Sequence, residues 1–389
     1  MSLNLDKSTW KRVAFGDVVR NVNETVRDPA AAGIERVIAM EHMEPGELKI
    51  QRWGSTAEGT TFTRRVKPGQ TLFGKRRAYQ RKVAHAEFDA ICSGDILTFE
   101  ADEAEMRPEF LPFLAQSSRF FEHALGTSAG SLSPRTNWRD LASFEFDLPP
   151  LDEQKRLSVL LSAVERHAQQ LNARSEHATV ARSMWLDIQV ESLIARSAIP
   201  FEKSWSRSPE SGWSSKPLDE ATGTYVLSLA ALGPTGYRPG NLKNIAETPQ
   251  SRSATLRLGD LLISRANTVE TVGRIGIYSE DRDDVSFPDT MMRLSLTEEF
   301  SPEFAAAVLS SAHGRAHMRR TAAGSATSMV KINRKSLGQM LFPVAAPDEQ
   351  NSLLQQLDRF DGALESSTAE LLAIDVLKSS LLDSVFGGE

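Results

Sequence analysis

The strongest constraint on the fold of this chain is an internal repeat with an interval of 196 residues. The segments Phe146–Gln154 and Phe342–Gln350 both end in Asp-Glu-Gln. Several matched blocks with a slowly drifting interval indicate duplication, so the sequence predicts two homologous halves. The other blocks, all in the same order, are Asn137–Leu141 with Asn333–Leu337 at 196, Pro108–Phe110 with Pro302–Phe304 and Ala129–Ser131 with Ala323–Ser325 at 194, and Pro68–Phe73 with Leu258–Ile263 at 190.

Each Asp-Glu-Gln triplet opens a segment with the periodicity of a long amphipathic helix and without internal proline. Helices over 152–197 and 348–386 would reach about 70 Å and about 60 Å. A single exposed helix of this length is marginal in water, so we expect the two to pack on each other. The apolar seams are Leu157, Leu161, Val164, Ala168, Leu171, Ala178 and Trp185 in the first helix, and Leu353, Leu357, Phe360, Leu364, Leu371, Ile374, Leu381 and Val385 in the second.

These features predict an α+β protein with two homologous globular domains and two long antiparallel helices that form a coiled coil. The predicted boundaries are a first domain at 1–150, a central helix at 151–197, a linker and second domain at 198–345, and a distal helix at 346–389. The linker is expected in Ser197–Pro217, which holds seven serines and three prolines. The exact start of the distal helix stays open, because Ala-Ala-Pro replaces the Pro-Pro-Leu of the first half.

The composition is that of a folded globular protein, since 40% of the 389 residues are apolar and 25% are charged. Cys92 is the single cysteine, which excludes an internal disulfide and a Cys-rich metal site. A chain with one cysteine and no disulfide is typical of a reducing compartment, so the cytoplasm is the expected location. No leader pattern and no run of ~18 apolar residues is present, so we expect no membrane partner.

The net charge of −6 conceals two basic regions. Acidic residues are absent from 59–86 and from 304–347, although both regions carry several arginines and lysines. A single basic run is usually a solvated face, but two runs in corresponding halves favour an anionic partner. Arg and Lys bind phosphates, and Arg, Lys and Asn also read base edges, so nucleic acid is the predicted partner.

No catalytic or metal-binding motif stands out. The sequence lacks a G-x-x-x-x-G-K-[ST] phosphate loop, an H-E-x-x-H pair and the Asn- or Asp-Pro-Pro-Tyr segment of amino-methyltransferases. His313 and His317 have the spacing of a helical metal pair, but no third ligand accompanies them, so we interpret them as structural. Cys92 lies in a strand-like run and is expected in the core. We predict no catalytic site and no metal site.

Segments of both halves resemble the specificity subunits of type I restriction–modification enzymes, and the resemblance covers nearly the whole chain. These segments are Leu72–Lys82, Phe88–Ser93 and Leu148–Gln154 in the first half, and Leu261–Arg265, Val272–Arg274, Gly324–Ser325 and Pro347–Gln350 in the second.

The resemblance implies a non-catalytic subunit that recognises a split sequence in double-stranded DNA through two target-recognition domains. It also implies two adenine methyltransferase (modification) subunits as partners and a restriction subunit that joins them for cleavage. S-adenosylmethionine is then expected in the methyltransferase, with no cofactor in this chain. The helix pair would hold the two domains a fixed distance apart, so that two half-sites are read across an unread spacer.

The candidate DNA-contact residues come from the basic regions and the matched motifs. Which of them read bases and which bind phosphates stays open, as do the target sequence and the spacer. The candidates are Lys75, Arg76, Arg77, Tyr79, Arg81, Lys82, Arg135, Asn137 and Arg139 in the first half, and Arg265, Asn267, Arg274, Ser325, Lys331, Asn333 and Arg334 in the second.

Two functions of other classes also fit the sequence. A two-headed scaffold would use its basic loops to bind acidic proteins, and it would not retain DNA selectively. A stand-alone repressor would bind a specific DNA sequence tightly without any partner. A neighbouring gene for an adenine methyltransferase would favour the restriction–modification interpretation.

Overall fold

The computed structural model describes residues 5–130, 133–326 and 329–387. The chain forms two compact units, one of Met1–Arg174 with Ser367–Glu389 and one of Ser175–Ser366. Both long helices pass from one unit to the other. Each unit therefore contains one globular half and one segment of each long helix.

The first globular half is built from short strands followed by short helices. Its strands are β1 (Lys11–Ala14), β2 (Val19–Asn21), β3 (Arg36–Ile38), β4 (Gly54–Ser55), β5 (Arg64–Val66), β6 (Thr71–Gly74), β7 (Val83–His85), β8 (Ala90–Cys92), β9 (Ile96–Ala101) and β10 (Glu145–Leu148). Its helices are α1 (Phe15–Val18), α2 (Leu111–Gln116), α3 (Ser118–Gly126) and α4 (Trp138–Ala142).

Two four-stranded sheets and one strand pair organise this half. The first sheet has the order β2-β9-β6-β7 and is antiparallel, and the second has the order β4-β3-β8-β5 with β3 and β8 parallel. The pair β1–β10 brings the two ends of the half together. Phe15, Phe73, Phe99 and Phe120 are fully buried and pack ring to ring in the core between the first sheet and the helices.

The second globular half follows the long helix α5 (Leu151–Arg196) and precedes the long helix α10 (Pro347–Phe386). Its strands are β11 (Ala198–Pro200), β12 (Trp205–Ser211), β13 (Tyr225–Leu227), β14 (Leu232–Gly233), β15 (Gly236–Tyr237), β16 (Leu242–Asn244), β17 (Leu261–Ser264), β18 (Ala266–Asn267), β19 (Ile275–Ile277), β20 (Val285–Ser286), β21 (Met291–Leu296), β22 (Ala323–Ala326), β23 (Met329–Lys331) and β24 (Leu341–Pro343). Its helices are α6 (Pro249–Ser253), α7 (Pro302–Ser310), α8 (Ala312–Thr321) and α9 (Arg334–Gly338).

The strand orders of the second half repeat those of the first. The sheet β12-β21-β17-β19 corresponds to β2-β9-β6-β7, and β16-β13-β20 keeps the parallel pair of the second sheet. The pair β11–β24 corresponds to β1–β10. The predicted duplication is therefore confirmed at the level of topology.

The linker predicted at Ser197–Pro217 is wrong for most of its length. Residues 198–200 form β11, which pairs with β24, and 205–211 form β12, which pairs with β21 through two register shifts. Three of the seven serines that suggested a connector, Ser206, Ser208 and Ser211, lie at exposed positions of β12. An edge strand with one solvated face has a polar composition, so composition alone could not distinguish it from a loop.

The long helices run antiparallel within each unit. In the first unit Leu157 and Leu161 of α5 share a core with Leu381 and Val385 of α10. In the second unit the later part of α5, including Leu186 and Val190, shares a core with Leu353 and Leu357 near the start of α10. The predicted seam residues are thus buried or half-buried along both helices. Among the described residues, no helix has both the length and the apolar character needed to cross a membrane.

Gln154 and Gln350, the last residues of the two Asp-Glu-Gln triplets, explain why the triplet recurs. The Gln154 amide nitrogen donates to the carbonyl oxygens of Glu105 and Pro149, and its oxygen accepts from the backbone N–H of Arg107. Gln350 makes the same three contacts with Glu299, Ala345 and Ser301. Both side chains are almost completely buried, so each one fixes the start of a long helix to its own globular half.

Candidate nucleic-acid interface

The first half joins two basic segments that are about 60 residues apart in the sequence. Beyond the end of β6, Arg76 forms an isolated β-bridge with Arg135. On either side of it, Thr136 donates to the Lys75 carbonyl at 3.0 Å and the Arg77 N–H donates to the Pro134 carbonyl at 2.7 Å. Backbone hydrogen bonds therefore hold four basic residues together. We name this group the first basic cluster: Lys75, Arg76, Arg77 and Arg135.

The carboxylate of Asp95 faces this cluster. Asp95 precedes β9 and accepts from Arg76 at 3.4 Å and from Arg135 at 3.3 Å, while its backbone carbonyl accepts from the Lys75 N–H at 2.9 Å. Burial lowers the pKa of Lys75, and the neighbouring charges of Arg64 and Arg135 lower it further, against the opposing effect of Asp95. The site is therefore rich in positive charge, and Arg64 is a member that the candidate residues omitted.

A strained turn presents Tyr79 beside the first basic cluster. Arg77 and Arg81 have φ angles of 55° and 52° and flank the 3-10 turn Ala78–Gln80. Among the described residues these two are the non-glycine residues in the left-handed region, which costs an ordinary side chain about 1 kcal/mol or more. Tyr79 at the middle of the turn is more than half exposed. The turn thus displays an aromatic ring between two basic residues.

The other first-half candidates have neighbours outside the cluster. Arg81 donates to the Ser118 hydroxyl at 3.1 Å and lies over the ring of Phe121, and Lys82 donates to the Met40 carbonyl at 2.8 Å. Asn137 and Arg139 are exposed at the start of α4. Sequence proximity therefore grouped Arg81 and Lys82 with Lys75, whereas their side chains bind to α3 and to the loop after β3.

The second half repeats this backbone pairing, which we name the junction, with different side chains. The Ile332 N–H donates to the Arg265 carbonyl at 2.9 Å, and Ala266 pairs with Lys331. Arg265 reaches the Ser211 hydroxyl at 3.5 Å, and Lys331 is exposed. We name Arg265, Lys331 and Arg334 the second basic cluster.

Two candidates of the second half have local structural contacts. Asn333 accepts from the Ser336 N–H at 2.7 Å and so caps α9, whereas the matched Asn137 makes no such cap. Asn267 lies in β18, and its side chain contacts the Ser264 hydroxyl at 3.4 Å. Ser325 lies in β22, and its side chain is outside the part of the chain that the structure describes.

Arg274 lies beside two arginines that the candidate residues did not include. Arg315 of α8 donates to the carbonyls of Val272 and Glu270 at 2.7 and 2.8 Å, which places it against the loop that ends at Arg274. Burial lowers the pKa of Arg315, and the charges of Arg319 and Arg274 contribute. Arg315 and Arg319 are one helical turn apart, a spacing that the sequence could have indicated.

His313 and His317 both contact backbone carbonyls, and Cys92 lies in the core as expected. His317 bonds the Ser336 carbonyl at 2.7 Å, and His123 makes the same contact with the Asp140 carbonyl in the first half, so this histidine belongs to the repeated fold. His313 bonds the Leu341 carbonyl at 2.8 Å. Cys92 is fully buried, and burial raises the pKa of its thiol to about 12. In the described ranges no group of three His, Cys, Asp or Glu residues could hold a metal ion.

The long helices expose apolar side chains in both units. In the second unit Val180, Met184 and Ile188 of α5 are each nearly 60% exposed and lie one turn apart on one face. In the first unit Leu372 and Val376 of α10 are more than 60% exposed. We name these the α5 strip and the α10 strip. Val180 and Val376 are separated by the repeat interval of 196 residues, so the two strips share this one position, whereas Met184, Ile188 and Leu372 correspond to Ser380, Ser384 and Glu176.

The sequence of this chain is similar to sequences of known proteins. The model of the type I restriction modification DNA specificity domain matches residues 32–178. The chain is 26% identical to the EcoKI type I restriction enzyme specificity subunit of Escherichia coli (strain K12), across 79% of this chain and 71% of that subunit.

Two solved structures share the fold. A chain from a study of complex assembly and conformational transition in the type I R-M system has a TM-score of 0.62 at 17% identity and covers 97% of this chain and 98% of its own. The S subunit of the type I restriction-modification system of M. genitalium has a TM-score of 0.55 at 14% identity, with 100% and 99% covered.

Proposed function

We propose that this chain is a specificity subunit of a type I restriction–modification system and reads a bipartite target in double-stranded DNA, a proposal supported by its similarity to the DNA specificity domain and to the EcoKI subunit. Each globular half contacts one half-site through its basic cluster, and the sequence between the half-sites is not read. The chain catalyses no reaction itself. It directs an adenine methyltransferase to the target, and a restriction subunit joins for cleavage.

The observation that carries this proposal is the duplicated junction. In both halves the residue after the first sheet's central strand, Lys75 or Arg265, is bonded through its backbone to the segment before a short helix. This arrangement fixes basic side chains on a rigid scaffold rather than on a free loop. Preorganised Arg and Lys side chains are suited to phosphate contacts and to bidentate contacts with guanine.

The exposed strips support two modification subunits as the partners. Contiguous exposed apolar side chains on a helix are costly in water and mark a surface that another protein covers. One strip lies in each unit, and the two strips share the repeat position of Val180 and Val376, which fits two subunits of one kind. S-adenosylmethionine belongs to those subunits in this proposal, and the chain itself needs no cofactor.

Methylome sequencing tests the proposed function directly. The chain is co-expressed with the modification subunit from the same genome, and methylated adenines are mapped. We expect one motif with two defined parts and an undefined gap. An undivided motif would contradict two-domain reading, absence of any motif would favour the scaffold function, and full selectivity of the isolated chain for DNA would favour the repressor function.

A further inference from the structure

Asp95 is an unexpected residue to find within a DNA-binding surface. Its carboxylate contacts Arg76 and Arg135 and lies close enough to Lys75 to influence its charge. A carboxylate near DNA repels the phosphates, so its charge opposes binding to the DNA backbone whatever the sequence. Its two ion pairs are long and partly exposed, and pairs of this kind add little to folding stability. Stability therefore does not account for the position of Asp95.

The second half has threonine at the position that corresponds to Asp95. In the first half the Lys75 N–H donates to the Asp95 carbonyl, and in the second half the Arg265 N–H donates to the Thr290 carbonyl. Because Lys75 corresponds to Arg265, Asp95 corresponds to Thr290. The two halves thus share the backbone junction and differ at this position, with Asp95 in the first half and Thr290 in the second.

We propose that Asp95 is a positioning residue that gives the first half its sequence selectivity. This inference rests on the proposed function. Asp95 holds the guanidinium groups of Arg76 and Arg135 in one orientation. In that orientation they contact base edges of the correct half-site rather than phosphates. Its charge also weakens binding to all other sequences. The second half has Thr290 instead, and each of its basic residues contributes less to the discrimination between DNA sequences.

The test is Asp95→Asn, which removes the charge and keeps the shape. The variant is assembled with the modification subunits, and its binding is measured on a duplex with the parent motif and on a scrambled duplex between about 50 and 200 mM salt. We expect tighter binding to the scrambled duplex and a salt slope steeper by about one to two, because each freed arginine adds about 0.9 per phosphate. Methylome sequencing should show about tenfold weaker discrimination at one or more base pairs of the first half-site, the size of one lost bidentate contact.

The design contains its own controls. The second half-site is read by unchanged residues, so its discrimination should equal that of the parent. Asp89→Asn removes the same charge from the same domain. Asp89 accepts hydrogen bonds of 2.6 and 3.0 Å from Arg65, which is not a member of the first basic cluster. This variant should leave the discrimination at both half-sites unchanged. Asp95→Glu keeps the negative charge and should keep the parent's discrimination at the first half-site. Asp95→Thr, which copies the second half, provides a second variant if Asp95→Asn unfolds at a lower temperature.

Three results would overturn the inference. Asp95→Asn and Asp95→Thr could retain the parent's salt slope and discrimination, which would make the carboxylate irrelevant to recognition. Equal loss at both half-sites would indicate a general effect on assembly. If the parent enzyme methylates no bipartite motif, the proposed function fails first and the role of Asp95 fails with it.

Discussion

Glu165 of α5 and Lys378 of α10 form an ion pair that is almost completely buried in the first unit, with side-chain exposures of 10% and 12%. Glu165 also accepts from the Leu48 N–H at 3.1 Å, and Lys378 donates to the Gly46 carbonyl at 2.6 Å. These contacts attach both helices to the loop between β3 and β4. The pair is thus part of a network in which each charged group has further partners.

The second unit contains the counterpart of this pair. Arg182 of α5 binds Asp361 of α10 through two hydrogen bonds of 2.6 and 2.8 Å. Glu165 and Asp361 are 196 residues apart, as are Lys378 and Arg182, so duplication preserved the charge of each helix position. The second pair is more exposed, at 29% and 44%, which predicts a different contribution to stability.

We expect Lys378→Met to destabilise the protein far more than Arg182→Met. The first variant leaves the buried Glu165 carboxylate without its cation, at a cost of about 3 kcal/mol, whereas the second breaks a partly exposed pair worth less than about 1 kcal/mol. Urea unfolding followed by circular dichroism measures the difference. Addition of Glu165→Gln to Lys378→Met should recover part of the loss, and equal effects of the two single variants would contradict the burial argument.

Glu165 also illustrates what the sequence could and could not predict. The apolar seams and the Asp-Glu-Gln triplets located both long helices, because helical periodicity is a local property of the chain. The partner of Glu165 depends on the register of two helices that meet from distant parts of the sequence. No spacing within either helix specifies that register, so the pair with Lys378 could not be found.

The sequence likewise predicted some residues of the candidate interface and missed others. The sequence named Lys75, Arg76, Arg77 and Arg135 as candidates, and the structure brings them together because a β-bridge joins Arg76 to Arg135. Asp95 was missed because a search for basic residues excludes acids, and because its contacts join β9 to segments far away in the sequence. Arg81 and Lys82 were grouped with the others by proximity along the chain, although a strained turn directs them elsewhere.

The triple variant Lys75→Ala, Arg76→Ala, Arg77→Ala should weaken DNA binding by the assembled enzyme and flatten its salt dependence. If each side chain neutralises one phosphate, the slope of log affinity against log salt falls by up to about 2.7. Fluorescence anisotropy at several salt concentrations measures this slope. Arg12→Ala is a matched control, because Arg12 is an exposed arginine on β1 that pairs with Glu145 and Asp147. An unchanged slope in a correctly assembled variant would remove this loop from the interface.

The two strips predict separate recruitment of two modification subunits. Val376→Glu puts a charge in the α10 strip, and Val180→Glu puts one in the α5 strip. We expect each single variant to hold one modification subunit and the double variant to hold none, because burying an unpaired carboxylate in an apolar contact is costly. Light scattering after size-exclusion chromatography gives the stoichiometry. Two bound subunits in the double variant would show that the strips are not the docking surfaces.

The last prediction concerns the length of the long helices. Seven helix-forming residues inserted after Gln170 in α5 and seven after Ala373 in α10 add about 10 Å and nearly two full turns to each helix. Both insertions lie between the Glu165–Lys378 and Arg182–Asp361 pairs, so each pair keeps its partner and the apolar faces keep their direction. Since B-DNA rises ~3.4 Å per base pair, we expect the unread gap in the methylated motif to lengthen by about three base pairs, with both half-sites unchanged. An insertion in α5 alone is the control, because it displaces one helix against the other and should abolish methylation. Efficient methylation at the parent spacing by the double insertion would show that the helices do not set the gap.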